Sequence, residues 1–188
     1  MANHVYFHMS IETPDTEKAM LEILEPAKAQ SPHYEGITEI DANRLPIYSE
    51  PFEDENWYAW GCDNMGAKWV SIDDWGEDYL SGHSAWSPIY PLVESLVETL
   101  SKKVGKEVVA KFTYEDEFRN FIGKATISSE EGIDSEELDG EEVNEWLTEE
   151  FGEDFFDEEV EWWDLYKDTG LCPQEFLDEK INEWFSEI

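Results

Sequence analysis

The stretch from Ser87 to Tyr114 reads SPIYPLVESLVETLSKKVGKEVVAKFTY, and its two halves follow different periods. Ser87-Pro88 opens a helix, since proline is tolerated only in a first helical turn. Leu92, Val93, Leu96, Val97 and Leu100 then recur along one helical stripe, and Gly105 stops it. A stripe of that width covers an apolar surface. From Glu107 to Tyr114 the period drops to two, through Val109 and Phe112, which is the alternation of a strand. A helix that runs directly into a strand in this way lies on a sheet.

Other elements flank this unit. Phe118 to Ile127 supplies a hairpin partner for the strand. Trp69 to Trp75, closed by Gly76, and Tyr79 to Trp86, with Gly82 inside it, form two earlier strands. His4 to Ile11 alternates and is rich in aromatic and β-branched residues, so it is a first strand. Thr13-Pro14 has the form of an N-cap followed by proline, and Ala19, Met20, Ile23 and Leu24 follow at helical spacing. Pro26 interrupts that helix and Pro32 closes the region. Residues 31–56, with Pro46 and Pro51, form a long connection. The order strand, helix, strand, strand, helix, strand, strand predicts an α+β fold. Its core is a βαββαβ antiparallel sheet with two helices on one face.

Two short signatures within this region carry a family likeness. Asn64-Met65-Gly66-Ala67-Lys68-Trp69 resembles an N-W-G-T-K-W motif. Ser84-Ala85-Trp86-Ser87-Pro88 resembles a T-A-W-S-P-P motif that leads straight into a helix, and Gly123 in the last hairpin has a counterpart. Together they resemble the ferredoxin-like domain of YubB-like proteins of phages, prophages and conjugative plasmids, over about residues 4–129. This chain departs from the pattern at Met65, Ala67 and Ile89. The resemblance implies a ferredoxin-like fold and a mobile-element origin, and it places no catalytic residue on this sequence.

Beyond residue 129 the composition changes. Of the 47 acids, 24 lie in residues 130–188, where Lys167 and Lys180 are the only bases. The expected division is therefore a ferredoxin-like domain over 1–129 and an acidic helical module over 130–188. Within the latter, Glu141 to Phe151, Phe155 to Lys167 and Pro173 to Ile188 read as helices separated by Gly152 and Gly170. Leu177, Ile181, Trp184, Phe185 and Ile188 form one apolar stripe, and Phe156, Val160 and Trp163 another. These need either the sheet domain or a second copy of the chain, as a homodimer, to cover them.

The acids of this module are the candidate partner-binding surface: Glu141, Glu142, Glu145, Glu149, Glu150, Glu153, Asp154, Asp157, Glu158, Glu159, Glu161 and Asp164. A charge run is ordinarily a solvated face. Here like charges repeat over several turns with almost no lysine between them. Each such i,i+4 pair costs a helix a few tenths of a kcal/mol, so the repetition argues for a surface kept for binding.

The whole chain has a formal net charge of −35. Duplex DNA carries one charge per roughly 1.7 Å, so the same charge occupies about 60 Å of duplex. A folded chain of this length, with a radius of gyration of roughly 16 Å, approaches that size. Disorder is excluded by 14% aromatic content, with 9 Trp, 8 Tyr and 10 Phe to build a core. No basic stripe exists for direct nucleic-acid binding. No apolar run approaches a membrane span, and Met1 to His4 does not open a secretory signal. Cys62 and Cys172 are isolated thiols, which fits a reducing cytoplasm.

The leading expectation is a phage or mobile-element inhibitor of a host DNA-binding or defence protein. It would act in the host cytoplasm by stoichiometric binding to a basic groove, as an acidic DNA mimic. An adaptor or antitoxin-like inhibitor that binds through aromatic surfaces, acidic mainly for solubility, is the alternative. An enzyme of unrecognised type is the third reading. For chemistry the residues offer little. His4 and His8 share a strand face, but no third ligand stands beside them, so no metal site is assigned. His8-Met9-Ser10 is half of a tandem H-x-[ST] pattern, and His83-Ser84-Ala85 does not supply the other half. No cofactor, phosphate-cradling loop or nucleophile elbow is indicated, and no catalytic residue is assigned.

Overall fold

The computed structural model describes residues 3–30, 38–49, 51–52, 54–118, 120–143, 145 and 173–188. Its frame is one eight-stranded sheet in which all neighbours are antiparallel. The strands are β1 (His4–Ile11), β2 (Lys28–Gln30), β3 (Thr38–Ile40), β4 (Val70–Trp75), β5 (Tyr79–Ala85), β6 (Val109–Asp116), β7 (Phe121–Ser128) and β8 (Gly132–Asp139). Their order across the sheet is β2-β3-β4-β5-β1-β6-β7-β8. The helices are α1 (Glu17–Leu24), α2 (Trp57–Met65), α3 (Tyr90–Val104) and α4 (Pro173–Phe185), with 3-10 turns at Glu25–Ala27, Ala42–Arg44 and Asp54–Asn56. Among the described residues no helix is long and apolar enough to cross a membrane.

One face of the sheet carries the main core. The alternation in β1 sends Val5, Phe7, Met9 and Ile11 inward, and in β6 Ala110, Phe112 and Tyr114. In register, Phe7 stands opposite Tyr114 and Met9 opposite Phe112. The stripes of α1 (Ala19, Met20, Ile23, Leu24) and α3 (Leu92, Val93, Leu96, Val97, Leu100) close over them, and all are buried. α4 lies on the opposite face. There the Lys124 ammonium of β7 donates to the Trp184 carbonyl (3.2 Å) and to Glu187 (3.1 Å), and sits 4.2 Å from the Trp184 ring centroid. A cation at a helix C-terminus satisfies its last carbonyls. Ile181 and Trp184 are buried, and Phe185 and Ile188 partly so; Leu177 lies outside the described side chains.

The expected ferredoxin-like βαββαβ sheet with two helices and a helical extension is corrected by this architecture. Among the described residues there are eight strands, and four helices, besides the turn at 140–143, that lie on both faces. β2 and β3 have three residues each, too few for an alternation to register, and they fall in or beside the segment read as a connection. α2 is built from the aromatic block Trp57–Met65, in which Gly61 interrupts any helical stripe. β8 reads GIDSEELD, and strands are depleted of such acids. It is a strand because all eight of its residues pair with β7. Helix α1 starts at Glu17 after Thr16, not at Pro14; the Thr13 hydroxyl instead accepts from the Val109 amide at 2.8 Å. The helices expected over 141–151 and 155–167 lie almost entirely outside the described residues.

Candidate functional site

The acids named from the sequence are placed only in part. Glu141, Glu142 and Glu145 are exposed, at and beyond the end of β8. Asp139 Oδ1 accepts from the amides of Glu141 (2.9 Å) and Glu142 (3.0 Å), and the Glu142 carboxylate accepts from the Asp139 amide (2.9 Å). This reciprocal cap starts a helical turn at residues 140–143 and anchors it through buried Val143. Glu149, Glu150, Glu153, Asp154, Asp157, Glu158, Glu159, Glu161 and Asp164 lie outside the described residues.

The fold adds acids that the sequence reading had not grouped. β8 is the sheet's edge, and it carries Asp134, Glu136, Glu137 and Asp139 in six consecutive positions. An edge strand exposes unpaired backbone groups, and charge along it opposes pairing with another chain. Half of the described bases gather elsewhere. Lys18 and Lys103 share Glu22, Lys102 pairs with Glu98, Lys106 with Asp15 and Lys111 with Glu12. These pairs occupy the end of the molecule built from α1 and α3. On the β7-β8 side, Lys124 is 7% exposed and held between Glu136 and Glu187.

A second feature depends on strand pairing. The face of β1 opposite the core presents His4, Tyr6, His8 and Ser10, and β5 lies beside it with His83 opposite Tyr6 and Ser81 opposite His8. Three histidines distant in sequence thus share one face. His83 Nδ1 meets Asp73 Oδ2 at 2.6 Å, and the Ser71 hydroxyl donates to Asp73 Oδ1 at 2.7 Å. Asp73 reaches that face because β4 bulges between Ile72 and Asp74. Bulges re-aim side chains in this way. Gly82 makes the close strand approach possible, as a Cβ there would lie 2.0 Å from the Ser71 carbonyl oxygen. His8 Nδ1 is 2.7 Å from the Ser81 hydroxyl, and its ring stacks on Tyr79 at 5.9 Å.

The rings of His4, His83 and Trp69 meet edge to face, with centroids 5.0, 5.5 and 5.6 Å apart, and Tyr6 lies next to both histidines. The two signature segments meet beside this cluster. The Ala85 amide donates to the Trp69 carbonyl (3.1 Å), and the Ser87 hydroxyl to the Gly66 carbonyl (2.8 Å). Trp86 between them has φ +75°, rare for a bulky residue, and is exposed. Between this face and α4 runs a groove with two clefts of about 440 and 450 Å³, with Asn182 and Phe185 common to both. Tyr6, Glu115, Glu117 and Asp178 line the first, and His8, Ser10, Lys111 and Thr113 the second.

Chemically, the face holds imidazoles, hydroxyls and carboxylates in contact. Among the described residues no three His, Cys, Asp or Glu side chains come together as a metal site. The sequence reading saw His4 and His8 on one face but not His83, because only the register of β5 against β1 brings it there. Comparison with family models, with curated proteins and with solved structures found no match.

Proposed function

We propose that this protein is a stoichiometric inhibitor that occupies the basic groove of a host nucleic-acid-binding protein, its carboxylates standing where phosphates would. The observation that carries this reading is the one-sided charge. Half of the described bases, Lys18, Lys102, Lys103, Lys106 and Lys111, are paired at the α1-α3 end, whereas β8 and the turn after it offer acids with no exposed base of their own among the described residues. A strand advances about 3.3 Å per residue, close to the 3.4 Å between phosphates of one DNA strand. Successive side chains point to opposite faces, so Asp134 and Glu136 share one face and Glu137 and Asp139 the other, and each face repeats its charge at about 6.6 Å, roughly twice that spacing. The likeness of the two tryptophan-bearing signatures to YubB-like proteins supports a mobile-element origin, and with it action inside a host cell.

The test is competition. A pull-down from host lysate at low salt, eluted by a salt gradient, yields the target. This protein should then displace duplex DNA from it, and displacement should weaken steeply with salt, since exposed charges are screened within roughly 8 Å at physiological ionic strength. A target that holds both ligands at once with undiminished affinity would exclude mimicry. It would favour the adaptor reading, for which the exposed rings of Tyr6 and Trp86 speak.

A further inference from the structure

We infer that Trp86 is an anchor that enters a base-stacking slot of the partner, its indole standing where an unstacked nucleobase would. This rests on the reading above that the partner is a basic nucleic-acid-binding protein, and it names the residue that seats there and the slot that takes it. Trp86 is costly in two ways. Its φ of +75° is one that a bulky residue adopts only under constraint, and its side chain is 59% exposed. The constraint comes from both sides of the residue. The Trp86 amide donates to the Asn3 carbonyl (3.1 Å), and the Ser84 hydroxyl donates to the Ser87 carbonyl (2.7 Å), across Trp86. The bonds from Ala85 to Trp69 and from Ser87 to Gly66 fix the flanking residues. Asn3 is held in turn by Asp116, which is 2% exposed. Asp116 Oδ1 accepts from the Asn3 side-chain amide and Oδ2 from the Phe118 amide, both at 3.1 Å. Phe118 is 66% exposed. β5 and β6 both end beside the start of β1, so two exposed rings leave the same end of the sheet, about two strand spacings apart.

A single exposed ring needs no explanation. A ring on a strained backbone does. Glycine would hold the same φ without strain, and an indole that is more than half exposed returns little burial to the fold. Its use is therefore outside the fold. Charge and shape choose the occupant. A net charge of −35 repels an anionic lipid surface, a nucleic acid and a second copy of this chain. It attracts a protein with a positive field. Proteins of that kind that hold unpaired or flipped bases grip them by their flat faces, between aromatic or guanidinium planes. An indole is flat and fused-ringed like a purine, so it stacks in such a slot, and buried tryptophans are among the side chains that dominate interfaces. The partner is then a protein that takes single-stranded or flipped bases, and not one that only reads an intact duplex.

The experiment titrates the DNA-displaceable target from the salt-eluted pull-down with the full chain, with Trp86→Gly and with Trp86→Ala. Both variants should bind about thirtyfold more weakly, the size of a hot-spot truncation. The salt dependence should keep its slope, because no charge is altered. Trp86→Gly should melt no lower than the parent and above Trp86→Ala, which keeps a Cβ at positive φ. That order separates a lost contact from a damaged fold. The same target should bind an oligothymidylate more tightly than an abasic strand of equal length, and the full chain should displace the oligothymidylate. Undiminished binding by Trp86→Gly overturns the anchor and leaves the basic-partner reading standing, as does a target that holds the abasic strand equally well. A Trp86→Gly variant that melts several degrees below the parent makes the indole part of the fold and overturns the anchor too. Self-association of the parent that Trp86→Gly abolishes would make a second copy the occupant and overturn the anchor alone. Failure to recover any target that DNA displaces overturns both.

Discussion

Gly123 and Tyr114 face each other across β6 and β7, and neither tolerates change for the same reason. The Tyr114 ring lies over Gly123, where an added Cβ would stand 2.1 Å from the ring. The ring thereby reaches β8, donating to the Glu137 carboxylate at 2.6 Å and accepting from the Tyr90 hydroxyl at 3.1 Å. Gly123→Ala has to expel this ring, and overpacking of that kind costs about 1–3 kcal/mol, to be read from urea unfolding. Burial foremost, then the bond to Glu137, raises the Tyr114 phenol above its ordinary value; Tyr90 is raised as well, chiefly by burial. Their contribution to stability is therefore complete below pH of about 10, where the unfolded chain also holds its protons. It is lost as pH rises above that, because the unfolded chain ionises first. Melting temperatures between pH 8 and 12 should fall, and Tyr114→Phe should flatten the fall. Gly123 was visible in the sequence as a motif position; what it makes room for was not.

Among the elements, α3 and α4 were legible because their apolar stripes are long. β8 was not, because its strand state comes from β7 and not from its own residues. The α4 stripe was too apolar to stand in water, and it covers the second sheet face through Ile181 and Trp184. Truncating Trp184 to Ala should cost about 3–5 kcal/mol. It should also release Lys124, whose buried ammonium sits against that ring and the same residue's carbonyl. Thermal unfolding at two protein concentrations reads both the loss and any dimer contribution, since only an associating protein has a concentration-dependent midpoint. An unchanged midpoint in the variant would mean that α4 does not hold this face.

Over the whole molecule the net charge of −35 is a standing cost, since like charges repel across a compact body. Salt screens that repulsion over roughly 8–10 Å at 0.10–0.15 M. Raising sodium chloride from 10 mM to 500 mM should therefore raise the melting temperature, whereas it should weaken partner binding. Opposite signs for the two effects would separate the charge that loads the fold from the charge that binds.

Periodicity, the placement of Gly and Pro, and charge counts need only neighbouring residues, and these located β1, β4 to β7, α3 and α4 along the chain. They also concentrated the acids beyond residue 129. The eight-strand width, the edge position of β8 and the placing of helices on both faces depend on which strand hydrogen-bonds to which, and so on contacts far apart in sequence. The meeting of His4, His8 and His83 has the same origin. A one-residue slip of β5 against β1 would send His83 to the opposite face, and no local pattern records that register.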